Sequence, residues 1–351
     1  MNLDVFSPEE LAKFNELINN SQQIAICCHK NPDGDALGSS IALMEYLTQK
    51  GKNATVIVPD FYPDFLRWLP GTERIVRYDK HKEKADELIN KADLLCCLDF
   101  NTASRTGEMQ EIILSTPAKK LLIDHHLKPE IPTDLCLSRP NASSTSELVF
   151  RIVWQNGDYE AQNKHFAAAI YCGLMTDTIN FTVNSSRPEI FFIAAKLLEK
   201  RINKDKIYRN VFNNYSQWAI RFRGYIMFQK LNVMETQHSA YFIITREDMK
   251  RFHFIKGDAE GLVNEALRIK GIYLSISMRE DTEKDNVVWV SLRSEHPYFC
   301  NEIAEKFFNG GGHECAAGGK LNCSAEEAQQ IARKAIEYFY QTTQNNNNNN
   351  A

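Results

Sequence analysis

Four short apolar runs, "QQIAICC", "NATVIV", "DLLCCLD" and "KKLLID", constrain the first half of this chain more than any other feature. Between them lie stretches with helical periodicity, "LGSSIALMEYLTQKG", "HKEKADELINKA" and "TGEMQEIIL". Continuous apolar runs of this length, bounded by polar turns, fit strands buried on both faces. Strands alternating with helices predict a mostly parallel sheet with helices on both sides. The expected fold class is therefore α/β, with a parallel-sheet N-terminal domain followed by a smaller α/β domain.

The ends of these runs carry unusual chemistry. "IAICC" runs into His29, with Asp33 and Asp35 just beyond; "LLCCL" ends at Asp99; "KLLI" ends at Asp124, His125 and His126. In a parallel sheet all these C-terminal strand ends share one edge, where ligands bind. Asp177, at the end of "GLMTDT", joins them if its helix packs over that edge. Each piece alone has an ordinary reading: "NPDGD" is good turn chemistry, with Asp35 free to cap a helix. Their joint occurrence is different. Two like charges about 4 Å apart repel by about 4 kcal/mol at an effective dielectric of 20. The bases nearby are Lys30, Arg105 and Lys128. Divalent metal is the simplest compensation; an Asp/His donor set suits Mn²⁺, with Mg²⁺, Fe²⁺ or Co²⁺ as alternatives, and the absence of cysteine argues against structural zinc.

Further along, "SSTSELVFRIVWQNG" opens with Ser144 and Glu147 at capping-box spacing. "NKHFAAAIYCGLMTDT" reads as a second long helix, and Ser186 followed by Pro188 and Glu189 starts a third. A helical connector is expected over about 204–233. Beyond residue 236 the strands "SAYFIIT", "IYLSISMRE" and "NVVWVSLRS" mix with the helices "AEGLVNEALR", "CNEIAEKFF" and "AEEAQQIARKAIEYFYQ". The low-complexity tail "QNNNNNNA" is expected to be disordered.

Net charge −4 and pI near 6.2 exclude coating of long nucleic acid by bulk electrostatics, but leave room for a short anion held by local cations. No apolar run approaches the roughly 20 residues that span a bilayer, so no membrane is expected. The N-terminus has no basic stretch followed by an apolar core, and the nine cysteines are an odd number. Both point to a reduced, cytoplasmic protein. The adjacent pairs Cys27–Cys28 and Cys96–Cys97 lie in strands, where neighbours face opposite sides, so they read as packing.

Together, "HKNPDGDALGSS", "CLDFN", "IDHH" and "GLMTDT" resemble the DHH phosphoesterase superfamily. "VWVSLRSE" and "NGGGHECAAGG" look like its C-terminal DHHA1 domain. Size and two-domain form are most similar to the nanoRNase/pAp-phosphatase group, which includes phosphodiesterases of cyclic and linear dinucleotides and exopolyphosphatase-related proteins. The resemblance implies a DHH catalytic domain at 1–190, a helical connector at 191–235, a DHHA1 substrate-binding domain at 236–343 and the Asn-rich tail at 344–351.

The same resemblance implies two metal ions. One would be held by His29, Asp33 and Asp99, the other by Asp35, Asp99, His125 and Asp177, with Asp99 bridging. A water between them would become hydroxide and attack phosphorus in line. Asp124 would orient the histidine ligands, and His126 would face the substrate phosphate. Arg293, Gly310, Gly311, Gly312 and His313 would bind substrate, although a glycine run alone can be just a helix stop. The implied substrates are short RNA, dinucleotides and nucleoside bisphosphates such as pAp. A phosphoanhydride hydrolase of polyphosphate or pyrophosphate and a cyclic dinucleotide phosphodiesterase are the alternatives. A non-catalytic nucleotide sensor would lack a ligand, and none is missing here. The oligomeric state is left open, a homodimer included.

Overall fold

The computed structural model describes residues 3–255 and 257–349. The chain divides into two compact units, Met1–Asn214 and Tyr215–Ala351. Among the described residues no helix is long and apolar enough to cross a membrane.

The first unit is built on a parallel sheet of β1 (Gln23–Cys27), β2 (Asn53–Val58), β3 (Val76–Arg77), β4 (Leu94–Leu98), β5 (Lys119–Asp124) and β6 (Leu135–Ser138), in the order β3-β2-β1-β4-β5-β6. The four expected strands are present, and the edge strands β3 and β6 are additions. Both are short and only partly buried, so neither leaves a long apolar run in the sequence. The helices are α1 (Pro8–Asn19), α2 (Gly34–Gln49), α3 (Lys82–Asn90), α4 (Gln110–Ser115), α5 (Thr145–Gln155), α6 (Lys164–Asp177), α7 (Pro188–Glu199) and α8 (Lys204–Phe212). The adjacent cysteines do split between faces. Cys28 and Cys96 pack with α2, α5 and α6, whereas Cys27 and Cys97 pack with α3 and α4.

Three local expectations are corrected. Asp33, not Asp35, caps α2, accepting from the backbone N–H of Asp35 and Ala36. Ser144 caps α5 through the Glu147 N–H, but the Glu147 carboxylate turns to Ser143 and Arg151 instead of closing the box. The cap position of α7 is Arg187, with no side-chain cap bond, so Ser186 does not start that helix.

In the second unit, α9 (Gln217–Tyr225) precedes β7 (Asn232–Met234), β8 (Ser239–Ile244), α10 (Arg246–Arg251), α11 (Leu262–Glu265), β9 (Leu274–Glu280), β10 (Val288–Ser294), α12 (Asn301–Phe308), β11 (Gly311–His313), β12 (Ala316–Leu321) and α13 (Ala325–Asn349). The sheet order is β11-β12-β10-β9-β8-β7, and one face packs on α12 and α13. The helical stretch around 204–233 is two helices, α8 and α9, with the division between the units falling in the gap. The tail expected to be disordered instead prolongs α13 to Asn349, because extending a nucleated helix is far cheaper than starting one. Asn350 and Ala351 lie outside the described residues.

Candidate functional site

Strands β1, β4 and β5 are neighbours, and Cys27, Cys97 and Leu122 lie in one row across them. Two residues further on come His29, Asp99 and Asp124, which explains why these side chains meet. The turn carrying them is tightly specified. Asn31 has φ +55°, a conformation asparagine tolerates, and its N–H donates to Asp60. Asp99 itself sits at φ +64°, a conformation that costs a non-glycine residue roughly 1 kcal/mol.

Around Asp99 the groups form two sets. His29 Nε2 is 3.3 Å from Asp99 Oδ2 and 3.7 Å from Asp33 Oδ2. His125 Nε2 is 3.4 Å from Asp99 Oδ1, 3.3 Å from Asp177 Oδ2 and 3.9 Å from Asp35 Oδ2. The middle of the cluster is shielded and its rim is open: Asp35 and Asp124 are fully buried, Asp99, His29 and His125 nearly so, and Asp33 and Asp177 are partly exposed. His126 approaches the same carboxylate, its Nδ1 3.8 Å from Asp99 Oδ1.

Burial alone would strip the histidines of charge, but hydrogen bonding and charge from Asp33 and Asp99 overcome it and hold His29 up at about 10. His125 is raised well above its usual value against the same opposing burial, through Asp99 and Asp177. Burial and then the Asp99 charge push Asp35 up to about 8. Asp177 is also raised, by burial and then Asp35. Asp99 is held well below the carboxylate range: burial opposes this, and His125 and His29 overcome it.

Long-range packing completes the site. Asp35 lies under the N-terminus of α5, where Thr145 N–H donates to Oδ2 at 2.6 Å and Ser146 N–H to Oδ1 at 2.8 Å. The Thr145 hydroxyl donates to Asp99 Oδ1 at 3.0 Å. That helix end is fixed from behind: buried Glu147 accepts from Ser143 N–H, Arg151 and Arg187, and Arg151 also reaches the Leu3 carbonyl. Asp177 comes from α6, which packs tightly on α2. A Cβ at Gly38 would stand 2.5 Å from the Ala169 carbonyl oxygen, and one at Gly173 2.0 Å from Ser146 Oγ and 2.7 Å from Asp35 Oδ1. Thr145, Ser146, Gly38 and Gly173 were not anticipated. Their only local signal is a glycine inside an otherwise helical pattern.

The histidines are oriented individually. His29 Nδ1 is 2.8 Å from the Lys30 carbonyl and His125 Nδ1 is 3.4 Å from that of Ala142. Asp124 does not hold either of them: it bonds His126 Nδ1 at 2.7 Å.

The donor set fits divalent metal. Ligands at about 2.1 Å from an ion lie about 3 Å apart when adjacent and about 4 Å apart when opposite. The separations of 3.3–3.9 Å fall between these limits. All donors are carboxylate or imidazole, and the buried Asp124 Oδ2 has no hydrogen-bond partner. His29, Asp33 and Asp99 would hold one ion, and Asp35, His125 and Asp177 with Asp99 the other.

In the second unit, Arg293 on β10 and His313 on β11 both pair with Ala316 of β12, so they flank that small residue on one face of the sheet. The glycines are needed first by the fold. A Cβ at Gly310 would fall 1.8 Å from the Gly318 carbonyl oxygen, and Gly312 has φ +147°. A Cβ at Gly311 would meet only the Glu305 side chain, at an ordinary 4.0 Å. Helix α12 is stopped by Asn309 in the left-handed region rather than by the glycines.

Comparison with known proteins agrees with this division. The family model described as "DHH family, N-terminal domain" matches residues 23–174, and "DHHA1 domain" matches residues 240–341. The crystal structure of an exopolyphosphatase-related protein from Bacteroides fragilis superposes with a TM-score of 0.92 at 43% identity, covering 97% of this chain and 98% of that one. The bifunctional oligoribonuclease and PAP phosphatase NrnA of Bacillus subtilis is 25% identical over 86% of this chain and 90% of its own length. The cyclic-di-AMP phosphodiesterase PdeA of Listeria monocytogenes is 27% identical over 93% of this chain, which spans 49% of that protein. The chain belongs to the DHH family, carries a DHHA1 domain in its second unit, and is a hydrolase of phosphoester bonds.

Proposed function

We propose that this chain hydrolyses short oligoribonucleotides, linear dinucleotides and nucleoside bisphosphates such as 3′-phosphoadenosine 5′-phosphate, using two divalent ions, Mn²⁺ first among them. The observation that carries the reading is the double use of Asp99: Oδ2 faces His29 and Oδ1 faces His125, so one carboxylate joins two donor sets. When bound, the ions would neutralise phosphate oxygens and make water a nucleophile near neutral pH. The protein's own groups prepare the site. The α5 N–H groups and the Thr145 hydroxyl lock Asp35 and Asp99 in one orientation. Asp124 fixes His126 so that its other ring nitrogen serves the substrate phosphate. Arg293 and His313 take a terminal phosphate of the substrate, the guanidinium by a forked hydrogen bond.

The relative described as an oligoribonuclease and PAP phosphatase, aligned over most of both chains, supports this reading. The Bacteroides fragilis relative described as exopolyphosphatase-related supports a second one, hydrolysis of polyphosphate by the same centre. One substrate panel separates them: pAp, a dinucleotide, a five-nucleotide RNA, a cyclic dinucleotide and polyphosphate, each with Mn²⁺ and with Mg²⁺. Turnover of pAp and the short RNA ahead of the rest is expected; preference for polyphosphate would overturn the reading.

A further inference from the structure

The register of the second sheet sets out more on the Arg293 face than an anion grip. Along β10, Val288, Val290, Leu292 and Ser294 are buried, while Trp289 and Ser291 are exposed and Arg293 is half-buried. The outward side chains therefore fall in three successive rows across the sheet. The first holds Arg293 and His313 on either side of Ala316. Beside Arg293, in the same row, lies Ser275, whose buried hydroxyl has no hydrogen-bond partner. The second row is nearly bare: Ser291 stands opposite Gly318, which in turn faces Gly311. In the third row Trp289 sits between Arg279 on β9 and Lys320 on β12.

This third row is a held aromatic platform with the Lys320 cation beside it, while the Arg279 guanidinium packs over Phe254. The indole N–H of Trp289 donates to Asp281 at 2.7 Å, and Lys320 Nζ lies 5.4 Å from the ring centroid. The ring nevertheless remains 40% exposed. A ring fixed before a ligand arrives loses little freedom on stacking. Arg293 and Trp289 are four positions apart on β10, about 13 Å along the sheet. That is the reach of a dinucleotide or longer, and beyond that of a single nucleotide. An anion grip, a floor of small residues and an aromatic ring beside a cation make the pattern by which sheet faces bind single strands. A chain of phosphates alone has no use for the exposed indole.

We propose that this face is a track for a short single-stranded oligonucleotide, with a terminal phosphate at Arg293 and His313 and a base further along stacked on Trp289. The track rests on the assignment of Arg293 and His313 to substrate phosphate made above.

The test uses the full chain with Mn²⁺. It measures kcat and KM for a five-nucleotide RNA and for pAp, and the anisotropy of a labelled phosphorothioate pentanucleotide. Trp289→Ala is expected to weaken pentanucleotide binding and raise its KM about 5- to 150-fold, the range one stacked base supports. Both kcat and the pAp kinetics should stay unchanged. Trp289→Phe should recover most of the loss, and Lys320→Glu should repeat the length-dependent defect. Equal losses for both substrates, or none for either, would overturn the track, as would a Trp289→Ala defect shown with polyphosphate instead of RNA. If the wild type binds the pentanucleotide through Trp289 without hydrolysing any nucleotide, the track stands and the proposed function falls. Hydrolysis of both substrates with Trp289 variants indistinguishable from wild type leaves the function and removes the track.

Discussion

The two sheets of this protein handle charge in opposite ways. At the end of the first sheet, Asp35, Asp99, Asp124, His29 and His125 are almost sealed from water, with Asp33 and Asp177 partly exposed at the rim, and the carboxylates are tied to backbone N–H groups, a helix end and the imidazoles. On the second sheet, Arg293 and His313 are half-buried and Trp289 is substantially exposed. Desolvating ionised groups is costly, and such a cluster persists only where its partners are fixed during folding. An open face carries no such cost. The contrast teaches that the first unit fixes its charged groups by folding, whereas the second leaves its own partly open to solvent.

The sharpest way to break this contrast is Asp99→Ala. Removing the carboxylate shared by both donor sets should lower kcat for a short RNA with Mn²⁺ about a thousandfold, the several kcal/mol that metal charge supplies. Circular dichroism should show the fold retained. A change in KM alone would mean that Asp99 only helps binding.

Thr145→Val probes the support behind the donors. It removes the hydroxyl bond to Asp99 and keeps the backbone donor to Asp35. Mn²⁺ affinity, measured by equilibrium dialysis, should fall about 10- to 100-fold, and Thr145→Ser should restore it. On the open face, Arg293→Ala should raise KM about tenfold or somewhat more, the worth of a charged hydrogen bond, with kcat little altered. An equal loss in kcat would erase the division of labour between the units.

Gly38→Ala tests the α2–α6 contact. A Cβ 2.5 Å from the Ala169 carbonyl oxygen should cost about 1–3 kcal/mol of stability by overpacking. In thermal denaturation that is a drop of several degrees, and an unchanged melting temperature would show the helices free to separate.

The last test concerns protons. His29 is raised from 6.5 to about 10 and Asp35 from 3.8 to about 8. Raised folded values stabilise at low pH. The Asp35 contribution fades between about pH 4 and 8, and the His29 contribution between about 6.5 and 10. Metal-free protein should therefore melt progressively lower from pH 6.5 to 10, and saturating Mn²⁺ should flatten the curve. A melting temperature that rose over that interval would contradict the assignment of these protons.

Much of this was legible from residue order. Apolar runs of strand length located β1, β2, β4 and β5, and the acids and histidines at their ends marked the common edge, because strand burial and donor chemistry are written locally. Local pattern misled where competing caps lay within a few residues. Asp33 and Asp35 are both good helix caps, and only the path of the turn through Asn31 decides which one serves α2. The asparagine tail has the composition of disorder, yet it follows directly on α13, which extends into it as far as Asn349.

By itself, the sequence marked which side chains could share an edge and what chemistry they could support, since His29, Asp33, Asp99 and His125 follow apolar runs that a parallel sheet sets side by side. Only the tertiary structure decided how they are held. Asp35 meets the end of α5 at Thr145, Asp177 reaches the cluster because α6 presses on α2 at Gly34 and Gly38, and strand register sets Arg293 beside Ala316 and Trp289 beside Lys320. These relations depend on the direction of N–H groups and the pairing of strands distant along the chain. Both are fixed by packing across the whole fold rather than by any short stretch of residues.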